Sequence, residues 1–261
     1  METSFADSTY LQIPYKLSEI EHRYGKNVHI LSDPYLLTHL ARLCSAQTIQ
    51  PVVNQIVETL YTNLVKIIVN QEFPRKIISV PTRMAELHKE AVYTGELVDS
   101  EQPTVSVNLA RAGTFPSHIC YTAFNYILNP KLIRQDHISI NRAIDSKDRV
   151  IGTNVSGHKI GGDVKNAIVV FPDPMGATGS TIISAVDIYK NTIVGSPKKI
   201  IALHLIVTPE YLKNVLTVHP DLIIYAVRLD RGLSSPEILK TTLGTRWEAE
   251  RGLNDKQYIV P

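Results

Sequence analysis

Short, mostly apolar and β-branched runs recur along this chain at Lys76 to Val80, Thr104 to Asn108, His137 to Ile140, Ala167 to Phe171, Ile200 to Val207 and Leu222 to Val227. Runs of about four to eight such residues suit strands buried on both faces of a parallel sheet. Helical spacing separates them. Val53, Ile56, Val57, Leu60, Leu64 and Ile67 stand at i, i+3, i+4, i+7 steps within Pro51 to Val69. Asp33-Pro34 ahead of Tyr35 to Leu43 reads as an N-cap with proline at N1, and Thr208-Pro209 repeats that signal. Ile182, Ile183, Val186 and Tyr189 mark another amphipathic helix. Strands alternating with helices imply right-handed βαβ crossovers. The expected fold is therefore an open, mostly parallel α/β sheet flanked by helices. Residues 1–73 contain no convincing strand and are expected to form a helical region that packs on the core or at a subunit interface. Residues 74–261 are expected to form the α/β domain, the two together making one compact unit.

The composition narrows the function classes. The chain has 261 residues, a formal charge of +2, 44% hydrophobic and 20% charged residues. That is an ordinary globular balance, and it gives no electrostatic reason to expect a nucleic-acid or membrane-surface binder. An anionic ligand must be held by a specific site. Cys44 and Cys120 are read as small buried hydrophobes of a reducing compartment. Glu2 and the absence of an apolar run behind a basic start argue against a signal peptide, and no run reaches the length of a bilayer span. The expected location is the cytoplasm. The histidines show no HExxH pattern, and none of His88, His118, His158, His204 and His219 is paired for zinc, so each is read as a structural or surface residue.

One loop carries the chemistry. After the run Ala167 to Phe171 comes Pro172-Asp173-Pro174-Met175-Gly176-Ala177-Thr178-Gly179-Ser180-Thr181, and then the amphipathic helix. A strand, a small hydroxyl-rich turn and a helix start bring unpaired N–H groups and the positive end of a helix dipole to one point, which suits phosphate. The same residues also suit a plain capped turn. Neither a Walker A pattern nor GxGxxG is present. Asp173, at the strand end, is placed to accept hydrogen bonds from sugar hydroxyls or to help hold Mg²⁺; it also suits an Asx turn before Pro174.

Asp173 to Ser180 resembles the phosphoribosyl-diphosphate loop of the uracil phosphoribosyltransferases, whose usual form is DPMLATGGS. Gly176 stands for the leucine and Ser180-Thr181 for glycine-serine. Leu109-Ala110-Arg111-Ala112-Gly113 resembles the family's LRAG segment, and His219-Pro220-Asp221 through Leu229-Asp230-Arg231-Gly232-Leu233 its HPD strand and D-x-GLN. Gly252-Leu253-Asn254-Asp255-Lys256-Gln257-Tyr258-Ile259-Val260-Pro261 resembles the GLNxxGYIxP stretch. Two departures accompany the match. Ser234 to Glu250 looks like an insertion, and the Gly-rich stretch that in the family follows the last motif, with an aspartate touching uracil and sugar, is not in this sequence.

The resemblance implies a phosphoribosyltransferase fold and transfer of a ribosyl phosphate from phosphoribosyl diphosphate to uracil, giving UMP and diphosphate in pyrimidine salvage. It implies Asp173 and Arg111 as catalytic residues. Arg111, Arg142, Asp173, Pro174, Met175, Gly176, Ala177, Thr178, Gly179, Ser180 and Thr181 would contact phosphoribosyl diphosphate, and Tyr258 and Ile259 uracil. Mg²⁺ would accompany the diphosphate, and the chain would form a homodimer or homotetramer. Departure of a highly charged diphosphate calls for preorganised cations rather than a covalent nucleophile. Arg111 also suits an ordinary surface arginine. The competing readings are a nucleotide-sensing homologue without turnover and a phosphoribosyltransferase for another base.

Overall fold

A computed structural model describes residues 6–144 and 150–260, with side chains at 141–154 left aside. Its elements, in chain order, are β1 (Val28–Ile30), α1 (Pro34–Leu43), α2 (Val52–Glu72), β2 (Arg75–Pro81), β3 (Val92–Val98), β4 (Thr104–Ala110), α3 (Thr114–Asn125), β5 (Ile133–Ile144) and β6 (Val150–Lys159). Then follow β7 (Ile168–Pro172), β8 (Met175–Gly176), α4 (Ser180–Asn191), β9 (Lys199–Val207), α5 (Pro209–Val218), β10 (Ile223–Leu229) and α6 (Pro236–Leu239).

The main sheet runs β1-β10-β9-β7-β4-β5-β6, with β8 added beside β9. All of its pairings are parallel except β5 with β6. Pleating sends alternate side chains to opposite faces, and both faces are covered. Ile168 and Val170 of β7, with Ile201, Leu203 and Leu205 of β9, pack into a core that includes Leu36 and Leu40 of α1, Leu60, Leu64 and Ile68 of α2, and Cys120 and Phe124 of α3. Val169 and Phe171 of β7 face the other way, against Ile182, Val186 and Tyr189 of α4 and Tyr211, Leu212 and Val215 of α5. The helix signals are realised at atomic level. The Asp33 side chain accepts from the Leu36 N–H at 3.1 Å, and Thr208 Oγ1 from the Tyr211 N–H at 3.0 Å.

Three expectations are corrected. Cys44, read as a small buried residue, is exposed, whereas Cys120 is buried. The first 73 residues do contain a strand, β1, which pairs in parallel with β10 through Val28, His29 and Ile30. Three residues are too few for a periodicity signal, and the strand exists because β10 offers it an edge. Lys76 to Val80 does form a strand, but not one buried in the parallel sheet. It belongs to β2, which pairs antiparallel with β3 in a separate two-stranded sheet that leaves Ile77 58% and Val80 46% exposed.

The segment 234–250, an insertion by resemblance, folds back on the core through a buried ion pair. Arg231 Nη1 lies 2.7 Å from Glu250 Oε1, and the Glu250 side chain is fully buried. The Tyr24 hydroxyl and the Gly244 N–H also donate to that carboxylate, and Arg231 Nη2 donates to the Thr241 carbonyl at 2.6 Å. Trp247 packs edge-on against Tyr24. Removing one partner of such a pair strands the other charge without water. Glu250→Ala is therefore expected to lower unfolding stability by about 3 to 5 kcal/mol in urea titrations followed by circular dichroism. A change below about 0.5 kcal/mol, the size of a typical surface substitution, would mean that the pair does not hold this segment.

Candidate active site

The chain leaves β4 for β5 on one side and returns to β7 on the other, so the winding direction changes between β4 and β7. In an open α/β sheet the crevice beyond the carboxyl ends of two such strands is where ligands bind. Ala110 to Gly113 leaves β4 at that point, and Asp173 to Gly179 leaves β7. The two loops touch through backbone: a Cβ on Gly113 would lie 2.9 Å from the Leu109 nitrogen and 3.0 Å from the Pro172 carbonyl oxygen. Only glycine permits that approach.

A cleft of about 570 Å³ opens there. Arg111, Ala112, Ser139, Ser156, Asp173 and Thr181 are among its walls, and Arg111 is its one cationic side chain among the described residues. The Ala110–Arg111 peptide is cis. A smaller cavity of about 30 Å³ lies within the following loop, lined by Asp173, Met175 to Gly179, Thr181, Ile182, Tyr211 and Gln257. Asp173 and Thr181 therefore border both spaces. Gly179 is the N-cap of α4, and Ser180 and Thr181 open its first turn, where backbone N–H groups lack intrahelical partners.

The loop is not a free turn. Met175 and Gly176 form β8, in register with Ile206 and Val207 of β9. Gly179 has φ +86°, and a Cβ there would stand 2.5 Å from Val215 Cγ2. Its hydrogen-for-side-chain economy thus serves the left-handed turn and the packing on α5; an added side chain would meet α5 and not a ligand.

Beneath the loop His204 is completely buried on β9. Its Nδ1 is 2.6 Å from the Asp173 carbonyl oxygen, and its Nε2 is 2.6 Å from the Tyr211 hydroxyl. A carbonyl only accepts, so Nδ1 carries the proton and Nε2 accepts from Tyr211. Desolvation pushes the His204 pKa down to about 4, against the carbonyl's opposing pull. Burial, and after it the charge of Asp173, hold the Tyr211 phenol well above its usual range. Both groups are neutral near pH 7, which keeps this donor chain intact.

The predicted residues are thus brought together at one crevice in two groups, Arg111 on the β4 loop and Asp173 to Thr181 on the β7 loop. Pro174 accepts through its carbonyl from the Leu205 and Ile206 N–H groups, which fixes the start of β8. The Arg142 backbone lies in β5, paired with Thr153, while its side chain lies outside the described residues. Tyr258 and Ile259 stand on a C-terminal hairpin closed by a bridge between Leu253 and Ile259. Tyr258 is 42% exposed, and it is Gln257, not Tyr258 or Ile259, that lines the loop cavity. Among the described residues no three His, Cys, Asp or Glu side chains cluster to hold a metal, and no helix is long and apolar enough to cross a membrane. Sequence reasoning passed over Ser139 and Ser156, which carry no motif, gave Gln257 no role although it lies within the stretch resembling GLNxxGYIxP, and treated His204 only as a structural residue.

Comparison with known proteins gives the chain a family. The family model for uracil phosphoribosyltransferase matches residues 30–245. The chain belongs to that family. It is 38% identical over 82 residues to the uracil phosphoribosyltransferase of Acinetobacter baylyi, a stretch covering 31% of this chain and 37% of that protein. It is 42% identical over 79 residues to the uracil phosphoribosyltransferase of Thermosipho melanesiensis, covering 30% of this chain and 36% of the relative. The matched stretch thus spans little more than a third of each of these relatives. In three dimensions the chain resembles the AQ2163 protein of Aquifex aeolicus, with a TM-score of 0.67 and 21% identity over 90% of this chain and 92% of the other, which is a likeness of fold.

The depressed His204 pKa sets a direction for stability against pH. The unfolded chain binds the proton near pH 6.5 and the folded one only near 4, so stability is whole above about 6.5 and falls as the pH drops towards 4. The expected loss is roughly 3 kcal/mol between those limits. Urea unfolding of the wild type and of His204→Gln at a series of pH values checks it; the same slope in both would mean that His204 is not the group responsible.

Proposed function

We propose that the chain transfers a ribosyl phosphate from phosphoribosyl diphosphate to uracil, releasing diphosphate and UMP. The observation that carries this reading is the shared wall: Asp173 and Thr181 border both the Arg111 cleft and the loop cavity. A ligand with an anionic group at each end and hydroxyls between them fits two such spaces joined by one carboxylate. The 5′-phosphate sits in the loop of Ala177 to Thr181, taking N–H donors and the α4 dipole. Asp173 accepts from the ribose hydroxyls. The diphosphate lies in the cleft under Arg111.

As the bond from C1′ to the diphosphate oxygen lengthens, positive charge grows on the ring and negative charge on the leaving group. Arg111 faces the latter, and its interaction strengthens as charge develops, which is the condition for lowering the barrier. The uracil nitrogen forms the new bond to C1′ as the bond to the diphosphate oxygen breaks, and its proton passes to the departing diphosphate or to water. The hairpin from Leu253 to Ile259 supplies the base side, the Ile259 main chain reading uracil's donors and acceptors with Tyr258 beside it. The Asp173 carboxylate suits Mg²⁺ carried in on the substrate, since that ion keeps waters and takes one or two carboxylates plus phosphate oxygens. Asp173 would meet it there, and the ion would supply positive charge beyond that of Arg111. A second copy of the chain, in a homodimer or homotetramer, and a place in cytoplasmic pyrimidine salvage belong to the same reading.

The test is chromatographic detection of UMP from uracil, phosphoribosyl diphosphate and Mg²⁺, with adenine and hypoxanthine in competition. UMP from the wild type alone among the bases supports the assignment; a nucleotide made from a purine base reassigns the substrate. Binding of phosphoribosyl diphosphate with no product points to a nucleotide sensor. Arg111→Ala is expected to lower kcat by about a hundredfold, the scale of losing one preorganised donor, and Asp173→Asn by about tenfold or more, both with unchanged thermal midpoints. Full activity in both variants would remove these residues from the reaction.

A further inference from the structure

Three successive carbonyls of the phosphate loop are held by α5 and the residue that caps it. The Thr208 N–H donates to Gly176 O at 3.1 Å, Thr208 Oγ1 to Ala177 O at 2.7 Å, and Asn214 Nδ2 to Thr178 O at 2.9 Å. A trans peptide is planar, with its C=O and the next N–H pointing in opposite directions. Fixing the Ala177 carbonyl therefore fixes the Thr178 N–H on the far side of the loop, and fixing the Thr178 carbonyl does the same for the Gly179 N–H. Of the three N–H groups between β8 and α4, that of Ala177 donates to the Met175 carbonyl at 3.1 Å, and these are the other two. Flipping either peptide would present a carbonyl oxygen to an anion, which repels it.

We propose that Thr208 and Asn214 are positioning residues that set the polarity of the loop, so that Thr178 and Gly179 offer N–H donors to a phosphate. This rests on the reading of the loop as a phosphate site given above. Thr208 also caps α5 through the Tyr211 N–H, so it serves the helix and the loop with one hydroxyl. Asn214 is exposed, and its side-chain bond runs to the loop alone among the described contacts, so its effect on the site can be separated from the fold.

Asn214→Asp keeps the shape and replaces the donor with an acceptor facing the Thr178 carbonyl. The chain's affinity for phosphoribosyl diphosphate, by calorimetric titration, is expected to fall about tenfold, and KM for that substrate to rise by a similar factor, while kcat and the thermal midpoint hold. Asn214→Gln, which restores a donor on a longer arm, is expected to recover part of the loss. Thr208→Val should weaken binding and Thr208→Ser restore it. An Asn214→Asp variant that binds as tightly as the wild type overturns the inference and leaves the phosphate site standing. A fall in kcat and thermal midpoint with no change in KM also overturns it, because that pattern is structural damage. A wild type that binds neither phosphoribosyl diphosphate nor inorganic phosphate removes the phosphate reading itself, and the inference with it.

Discussion

Everything at the site depends on the parallel pairing of β4 with β7, two strands separated in the chain by α3, β5 and β6. Thr104, Val105 and Ser106 pair with Ile168, Val169 and Val170, so the two strands end within about two residues of each other and their loops emerge side by side. Gly113 then lets the start of α3 lie against the Pro172 carbonyl. No local sequence preference brings Arg111 within reach of the Asp173 loop; the burial of both faces of these strands does. Such non-local pairing is favourable only when many apolar residues are removed from water together, which the completely buried β7 and the almost completely buried β4 satisfy.

The second organising element is α5. Its cap and first turns reach three parts of the molecule. Thr208 and Asn214 bind the loop, Tyr211 supports His204 under Asp173, and Glu210 accepts from the Gly252 N–H at 3.0 Å, drawing in the C-terminal hairpin. A carboxylate in the first turn also favours the helix through its dipole. One short helix thereby relates the loop after β7 to the hairpin that bears Gln257, Tyr258 and Ile259. A Cβ on Gly252 would lie 2.3 Å from the Asp230 carbonyl oxygen, so the hairpin enters through a gap only a glycine fits.

Much of this was legible in the residues because local signals and global fold agree. The β-branched runs became β4, β5, β7, β9 and β10, and Asp33-Pro34 and Thr208-Pro209 capped the helices they announce. The loop from Asp173 to Thr181 followed its strand and opened α4 as its composition implies. What stayed hidden has no local signature. β1 is three residues long and depends on the edge of β10, while β2 has an apolar sequence but finds its partner in β3, outside the core. Asn214 looks like any polar residue on a helix until the fold sets it 2.9 Å from a loop carbonyl. Gly179 was readable as a loop glycine, yet the side it leaves bare faces Val215, a neighbour that only the packing of α4 on α5 supplies.

Buried polar groups here share a pattern that bears on how the site keeps its shape. His204 has one donor and one acceptor, each matched, and Asp136 accepts from Arg134, Gly161 and Tyr189, the last at 2.7 Å. Matched polar groups in a low-dielectric interior contribute modestly to stability, but a rearranged alternative would leave a donor or acceptor unpaired at a cost of about 1 to 3 kcal/mol each. That asymmetry penalises wrong conformations more than it rewards the right one. Under Asp173 it means that the backbone carrying the carboxylate cannot shift without breaking the His204 bond. A residue whose side chain borders both cavities is thus fixed in place through its main chain.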